Sequence, residues 1–577
     1  MSSPLYVLGT GLSHDGSSCL LKDGKIIFAI EKERISRTKH DGGNDTLTVQ
    51  YCLDAAGITI DDLSLVVQCA NFEKEEIARD RFHGARLFPA DTTIPFVTIS
   101  HHLAHAYSAI GTSPFAACNV MIIDGCGSFY KQCDDLEGAF IPGDIDPQQQ
   151  LYGEKDSFYF FDGNKLKPLY KDFSVIQYDH KPGQVFLPTS RHSIGGLYSM
   201  AAQYCFNDFD AAGKVMGLAP YGDRNKYKEE LFSCKDGRIM VSEEVMHHYF
   251  TKPADAFIHP FNKHFSYYAD IAAWVQAEAE RAVLYIIQQR LQLHPHDNLC
   301  YAGGVALNAV ANAKILKQAG IKQLYMEPAA GDNGLAIGCA YYGWLEVLKK
   351  EKVKHSGSTF FGRTYPEDNA ASSFHYYKEK FAGIKASQQQ SNNYIATTAS
   401  LLAEGKTVGW YQGGAEFGPR ALGRRSILAD PRIKEMTLHI NRDIKLREDF
   451  RPFAPAVLWE DRHVYFDNGF ESPYMILVDQ IKKEWKDKLP AIVHVDGSCR
   501  VQTVKDETEP FYQLLKAFKE LTGISVLLNT SLNRKAMPII ETPAEAIEFF
   551  FESDLDVMVV NDRVFTKEKI PQTKVHS

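Results

Sequence analysis

The tract His101-His102-Leu103-Ala104-His105 has H-x-x-x-H spacing. On a helix, residues i and i+4 share a face, so His101 and His105 can grip one ion. The tract continues Ala-Tyr-Ser-Ala, which suits a helix, and His102 points elsewhere. Two histidines alone are equally consistent with structural roles. Two carboxylates add to them. Asp124 follows the apolar run Val120–Ile123 and leads into Gly125-Cys126-Gly127-Ser128, and Asp332 sits in Gly331-Asp332-Asn333-Gly334 ahead of an apolar stretch. Both lie at element edges, where functional side chains are commonly held; the alternative for each is a helix cap or a turn residue. Two imidazoles with two carboxylates suit Fe(II), Mn(II) or Zn(II) better than Mg or Ca. Such an ion polarises an acyl oxygen or acidifies an alcohol.

Glycine loops form a second group. Gly9-Thr10-Gly11-Leu12-Ser13-His14-Asp15-Gly16 follows a first apolar strand, Asp124–Ser128 follows another, and Ala302-Gly303-Gly304-Val305-Ala306-Leu307-Asn308 opens a helix. Glycines let the backbone approach a ligand closely, and exposed N–H groups cradle phosphate oxygens. Gly127, Ser128, Gly303, Gly304 and Asn308 are therefore candidate nucleotide contacts, with Lys39 as a phosphate or ribose contact or a plain surface charge. His14 titrates near neutrality and can serve as a general base on an alcohol; unaided, its position favours a loop histidine capping a turn.

A third group is basic within an otherwise acidic chain. Arg420 lies in Glu416-Phe417-Gly418-Pro419-Arg420-Ala421-Leu422-Gly423-Arg424-Arg425, and Lys445, Arg447 and Arg451 lie in Lys445–Phe453. Arg500 follows Asp496-Gly497-Ser498-Cys499, and Ser531 and Asn533 stand in Asn529–Asn533. Guanidinium groups bind phosphate oxygens through paired donors, an ammonium adds a point charge, and Ser531 and Asn533 can donate further hydrogen bonds. Some of these arginines are expected to pair with Glu416, Glu448, Asp449 and Asp496 instead.

The elements that must position these groups read as follows. Strands are predicted over Leu5–Leu8, Ser18–Leu21 and Lys25–Ile30, with Asp23-Gly24 as a hairpin turn. A helix follows over Thr46–Ala56, then strands over Leu65–Cys69, Phe96–Ile99 and Val120–Ile123. Helical spacing of Ile271, Trp274, Val275, Ala279, Ala282 and Ile286 predicts a helix over Asp270–Gln292. The strand Asn298–Ala302 precedes a helix over Ala306–Gln318. Lys349–Ser358, charged and then small, reads as a flexible linker between domains 1–350 and 359–577. Beyond it come a helix over Asn392–Glu404 and strands over Thr407–Tyr411, Ser525–Leu528 and Val557–Val560.

At 577 residues the chain is too long for one core. A net charge of −9 and a pI of about 6.1 exclude bulk nucleic-acid binding through a basic face. No apolar run reaches the ~18 residues of a membrane span, and the start lacks a secretory pattern. The 11 cysteines form no CxxC pair and read as buried thiols in a reducing compartment, so the cytoplasm is expected.

The blocks SHDGSS, EKERISRTKH, ISHHLAHAYSA, IDGCGS, GKVMGLAPYG, AGGVALN and GDNGLAIG occur in the order seen in carbamoyltransferases of the nodulation-factor and antibiotic type. AEFGPRALGRRSILADPR, KLREDFRPFAPAVL, HVDGSCRVQTV and LLNTSLN continue that resemblance over nearly the whole chain. It implies an α/β protein: an actin-like (ASKHA) N-terminal domain, similar to the tRNA threonylcarbamoyladenosine transferase, fused to a C-terminal α+β YrdC-like domain. It further implies that carbamoyl phosphate and ATP, with Mg accompanying the ATP, form carbamoyl adenylate in the second domain. The first domain, holding iron, then carbamoylates a hydroxyl of a small molecule, a secondary metabolite. By that resemblance His101, His105, Asp124 and Asp332 are metal ligands and His14 the general base. Gly303, Gly304 and Asn308 match the adenylate site, and Arg420, Lys445, Arg447, Arg451, Arg500, Ser531 and Asn533 the carbamoyl-phosphate and ATP pocket. Two departures stand out: Ala212 replaces an acidic residue, and Arg534–Pro538 lacks an expected glycine. A tRNA-modifying enzyme and a non-catalytic nucleotide-binding module are the alternatives. The acceptor stays open, with the stretch around Asp134–Pro188, whose aromatics Phe158, Tyr159, Phe160 and Phe161 are otherwise core, as one place for its specificity, and so does the oligomeric state, a homodimer included.

Overall fold

The computed structural model describes residues 3–11, 13–43, 46–69, 93–141, 146, 151–178, 185–250, 264–366 and 368–568. Two compact units are present: Met1–Ser36 with His40–Thr359, and Arg37–Lys39 with Phe360–Ser577.

The first unit contains two sheets of matching construction. One is built from β1 (Tyr6–Gly11), β2 (Ser17–Lys22), β3 (Lys25–Glu31), β4 (Leu65–Cys69) and β5 (Phe96–Ile99), in the order β3-β2-β1-β4-β5. The turn between β2 and β3 is the predicted one, with Asp23 and Gly24 both at positive φ as a two-residue hairpin requires. β2 and β3 run antiparallel to their neighbours, while β4 and β5 are parallel to β1.

The other sheet is built from β6 (Cys118–Ile123), β7 (Ala139–Phe140), β8 (Tyr152–Phe161) and β9 (Leu166–Val175), then, beyond a separate hairpin β10 (Phe232–Lys235) and β11 (Arg238–Val241), from β12 (Asn298–Ala302) and β13 (Gln323–Met326). Its order is β13-β12-β6-β8-β9-β7. β6 pairs antiparallel with β8 and parallel with β12, which is the pattern of the first sheet with one added edge strand. This doubled 3-2-1-4-5 order is the actin-like arrangement. It puts the loops after β1 and β6 at equivalent places, at the carboxyl ends of parallel strands, where open α/β sheets bind ligands.

Packing explains several residues read above as ligand loops. β1 is buried along its whole length and extends to Gly11. Gly9 is therefore part of the strand and not of a phosphate loop: a Cβ there would lie 2.0 Å from the Ala336 carbonyl oxygen, because the Leu335–Tyr342 helix lies directly on the strand. Phe158, Tyr159 and Phe161 are buried in β8 as sheet core and are not available to an acceptor. The predicted Asp270–Gln292 helix starts earlier, at Phe265, since the buried Tyr268 extends its apolar face. The predicted Ala306–Gln318 helix is broken: a 3₁₀ turn covers Gly304–Leu307, and Asn308 caps a helix over Ala309–Gln318. Lys349–Ser358 has no helix or strand. It is nonetheless tethered, because Lys352 Nζ donates to the carbonyls of Ser113 (2.9 Å) and Phe115 (2.7 Å).

The second unit is a nine-stranded mixed sheet between two helical layers. In spatial order its strands are Ala386–Gln390, Arg563–Lys567, Val557–Val560, Val408–Tyr411, Arg425–Ala429, Val526–Ser531, Ala454–Leu458, Ser498–Val504 and Leu477–Gln480. Period-two alternation assigns the faces. Val408, Trp410, Leu428 and Leu527 pack against Phe511, Leu515 and Phe518 of the Pro510–Thr522 helix. Tyr411, Ile427 and Leu528 pack on the other face with Ile547 and Phe550 of the Pro543–Glu552 helix.

In the Arg534–Pro538 departure, Ala536 adopts φ +59, the left-handed conformation that glycine takes without a Cβ clash. Ala536→Gly should raise the denaturant midpoint of the second unit's unfolding transition, with a gain of roughly 0.5–1 kcal/mol after glycine's extra chain entropy is subtracted. A lowered midpoint would contradict the strain.

Candidate active site

Three elements of the first unit converge. The His101–Thr112 helix follows β5 and presents His101 and His105 one turn apart. β6 ends at Ile123 and delivers Asp124; a 3₁₀ turn at Asp332–Gly334, at the head of the Leu335–Tyr342 helix, delivers Asp332. Ligating atoms of all four buried residues lie within 4.8 Å of one another. His101 Nε2 is 3.0 Å from Asp124 Oδ2 and 3.4 Å from Asp332 Oδ1. His105 Nε2 is 3.1 Å from His101 Nε2, 3.8 Å from Asp124 and 3.7 Å from Asp332. Asp124 is oriented by its other oxygen, which accepts from the Gly304 N–H at 2.7 Å.

The charges in this group fit a cation. Burial opposes ionisation of both aspartates, and for Asp124 so does the charge of Asp332. The imidazoles outweigh this, so Asp124 is held down to about 2 and Asp332 well below the usual carboxylate range. Burial likewise opposes a charged His101, but Asp332 and Asp124 raise its pKa well above the ordinary histidine value. Two carboxylates and two imidazole nitrogens facing one point repel unless a positive charge sits among them. A divalent ion bound by two neutral histidines and two aspartates makes that set neutral, and the donors match Fe(II), Zn(II) or Mn(II).

His14 adjoins this cluster. Its Nδ1 is 3.2 Å from Asp332 Oδ2, and its Nε2 is 3.4 Å from Asp15 Oδ2. The ring is 56% exposed. Burial lowers its pKa, but the carboxylates of Asp332, Asp15 and Asp210 reverse this and the net shift is upward. Neighbours that motif reading passed over complete the arrangement. Ser13 Oγ donates to Asp332 Oδ2, and Asp15 Oδ1 lies 2.8 Å from His40 Nδ1. The adjacency Ser13-His14-Asp15 was the available signal. Asp210 stands two residues before Ala212, where the missing acidic residue was noted, and acts on His14 from there.

Several predicted nucleotide contacts have other duties. The N–H groups of Gly127 and Ser128 donate to the backbone oxygen and the Oε2 of Glu154, both at 2.9 Å, and Ser128 Oγ accepts from the His101 N–H at 2.9 Å. These two residues are spent on structure, which corrects the expectation that they cradle phosphate. The Asn308 side chain caps its helix through the Ala311 N–H (3.1 Å) and exchanges hydrogen bonds with Gln276. The Gly303 N–H donates to the Ala330 carbonyl. Lys39 belongs with the second unit and is not part of this cluster.

In the second unit, Arg420, Lys445, Arg447, Arg451 and Arg500 act on one another as like charges. Burial, then Arg451, pushes Arg420 down to about 10. Burial, then Arg447 and Arg451, holds Lys445 well below its ordinary range, and burial with three arginines does the same to Arg500. The expected neutralising carboxylates are mostly elsewhere. Glu416 accepts from the backbone N–H groups of Leu422, Arg424 and Arg425; Asp449 pairs with Arg442; Asp496 accepts from the Ser498 N–H. Glu448 alone of the four faces the cluster, 3.9 Å from Arg451, and it also pairs with Lys535.

Ser531 and Asn533 correct a second expectation. Their oxygens hold the Lys445 ammonium (Ser531 O 2.5 Å, Asn533 O 3.0 Å, Asn533 Oδ1 2.9 Å), while Ser531 Oγ donates to Asn533 Oδ1 and Asn533 Nδ2 to the Met537 carbonyl. They position the lysine and do not donate to an anion. The 11 cysteines stand as thiols, ten of them buried. Among the described residues, no helix is long and apolar enough to cross a membrane.

Comparison with known proteins identifies the family. The family profile described as Carbamoyltransferase N-terminus matches residues 7–80 and 59–341, and that described as Carbamoyltransferase C-terminus matches residues 399–567. The chain belongs to the carbamoyltransferase family. It is 30% identical to Nodulation protein NolNO of Sinorhizobium fredii, over 96% of this chain and 79% of that protein. It is 32% identical to the uncharacterized protein sll1178 of Synechocystis sp., over 98% of this chain and 97% of that protein. Among solved structures, full-length HypF in a phosphate- and nucleotide-bound form aligns with a TM-score of 0.35 at 10% identity, covering 58% of this chain and 55% of that one. This likeness is too remote to bear on function.

Removing one imidazole should empty the four-residue cluster. His105→Ala protein, purified beside the wild type and assayed by elemental analysis, is expected to lose most of its bound Fe, Zn or Mn. Equal metal content in the two would exclude His105 as a ligand.

Proposed function

We propose that the chain is an O-carbamoyltransferase that activates carbamoyl phosphate with ATP and passes the carbamoyl group to a hydroxyl of a small molecule, a secondary metabolite. The observation that carries this reading is the cluster of Arg420, Lys445, Arg447, Arg451 and Arg500, which lies in the unit carrying the Carbamoyltransferase C-terminus match and is short of carboxylates. Guanidinium groups do not give up their protons in proteins, so the electrostatic cost of this cluster is offset by a bound polyanion. Carbamoyl phosphate and the triphosphate of ATP with its Mg are such anions, and paired guanidinium donors match their oxygens.

In this scheme water attacks the phosphorus of carbamoyl phosphate and its P–O bond to the carbamoyl group breaks, which leaves carbamate and phosphate, both held by the cations. A carbamate oxygen attacks the α-phosphorus of ATP, pyrophosphate leaves, and carbamoyl adenylate results. At the first unit the acceptor hydroxyl attacks the carbamoyl carbon and AMP leaves; His14, neutral once a bound cation offsets the Asp332 charge that raises its pKa, takes the hydroxyl proton at Nε2, beside Asp15. His101, His105, Asp124 and Asp332 would hold an iron, zinc or manganese ion, which would supply Lewis-acid polarisation of the carbonyl. Asp332, which faces both His14 and the other three residues of the cluster, orients the base through its contact with His14 Nδ1. Domains 1–350 and 359–577 thus divide transfer from activation, and cysteines held as thiols suit a cytoplasmic enzyme.

Pyrophosphate release from ATP by the purified, metal-loaded chain tests the scheme. Release should depend on carbamoyl phosphate and should fall at least about 100-fold in Lys445→Met, which removes a buried charge from the anion pocket. No release from a folded sample, or release indifferent to carbamoyl phosphate, would defeat the adenylate route.

A further inference from the structure

Glu154 is the third residue of β8 and is fully buried. It stands in a run of three charged residues, Glu154-Lys155-Asp156, inside a strand otherwise lined with aromatics. The mechanism above makes no use of it. Its contacts run to both protein segments that bring ligands from the two sides of the metal cluster. Oε2 accepts from the N–H of His102, at the first turn of the His101–Thr112 helix, at 3.2 Å. The same oxygen accepts from the N–H of Ser128, in the loop that begins at Asp124, at 2.9 Å. Ser128 in turn accepts the His101 N–H on its hydroxyl. The approach is close: a Cβ on Gly127 would lie 2.5 Å from Glu154 Oε2 and 2.7 Å from His102 Cδ2.

The opposite oxygen, Oε1, accepts from Lys171 Nζ at 2.6 Å. Lys171 bridges on to Asp135 Oδ2, also at 2.6 Å, and Asp135 accepts from Ser100 Oγ at the residue preceding the helix. Burial pulls the Lys171 pKa down, yet the carboxylates of Glu154 and Asp135 raise it well above its ordinary value, so the ammonium stays charged. Glu154, Asp135 and Cys133 could by spacing hold a metal of their own, but the Lys171 ammonium already fills that place. The first turn of a helix has unpaired N–H groups and carries partial positive charge, and buried anions stabilise it. Here they also determine where the helix starts relative to Asp124.

We infer that Glu154, held by Lys171, is a positioning residue for the metal centre: it fixes the spacing between the His101/His105 pair and Asp124. The inference rests on the metal reading of that cluster. Groups behind the ligands of metal sites commonly contribute 10–100-fold in affinity. An amide at this position cannot do what the carboxylate does. If its oxygen faces Lys171, its NH₂ meets the two N–H donors; if its oxygen faces the donors, its NH₂ meets the ammonium.

The test is Co(II) titration of the metal-free full-length chain, read by the visible d–d spectrum and by thermal unfolding. Glu154→Gln should bind Co(II) roughly 10–100-fold more weakly than wild type, with an altered d–d spectrum. The double variant Glu154→Gln/Lys171→Met frees the amide oxygen for Ser128 and His102 and should recover most of the affinity and the wild-type spectrum. Asp156→Asn, on the same strand, loses a buried pair with Arg290 (2.9 Å). It should lower the melting temperature without changing the spectrum. If Glu154→Gln binds Co(II) with wild-type affinity and spectrum, or is affected no more than Asp156→Asn, the positioning role is wrong while the metal reading stands. If the wild type itself binds no Co(II), the metal reading fails and takes this inference with it.

Discussion

Bringing two aspartates and two histidines within 4.8 Å of one another inside a protein is costly, because each carboxylate gives up water and faces the other. Much of the first unit can be understood as the means of enforcing that proximity. Asp124 is held by the Gly304 amide from one side, and the loop after it is held by Glu154 from the other. Asp332 is placed by a turn leading into a helix that lies on β1 so closely that only glycine fits at position 9. The histidines ride on a single helix whose first residues are satisfied by Ser128 and Glu154. A cation at the centre would turn that repulsion into attraction, and Asp332 holds His14 at its edge through Nδ1.

The second unit uses like charge in the opposite sense. Glu416 is buried, yet it neutralises no arginine; it gathers the amides of Leu422, Arg424 and Arg425 and so shapes the loop that carries Arg420. Lys445 is pinned by oxygens of Ser531 and Asn533, which fix its position without cancelling its charge. The outcome is a set of cations kept close together with little internal compensation, a state suited to an anionic substrate.

Doubling of the sheet gives these details a common frame. Each half of the first unit places a functional loop after its first strand: Ser13-His14-Asp15 after β1 and Asp124 after β6. The two loops carry different side chains, an imidazole between two carboxylates in one and a buried carboxylate in the other, yet they occupy equivalent positions. Asp332 lies between their functions, in contact with both His14 and His101.

Much of this was legible in the sequence where local rules apply. The Asp23-Gly24 turn, the strands Leu65–Cys69, Phe96–Ile99 and Asn298–Ala302, and the i, i+4 histidines follow from backbone preferences and short-range periodicity. Type and spacing also marked out the four residues that converge as a cluster, because H-x-x-x-H and a carboxylate at a strand end are local patterns. Tertiary structure alone decided what each glycine and each polar side chain was for. Gly9 serves helix packing, Gly127 and Ser128 serve Glu154, and Ser531 and Asn533 serve Lys445. Those assignments depend on which donor meets which acceptor across tens or hundreds of residues. A sequence states how many donors and acceptors a segment carries; only the folded chain determines which remain available to a ligand.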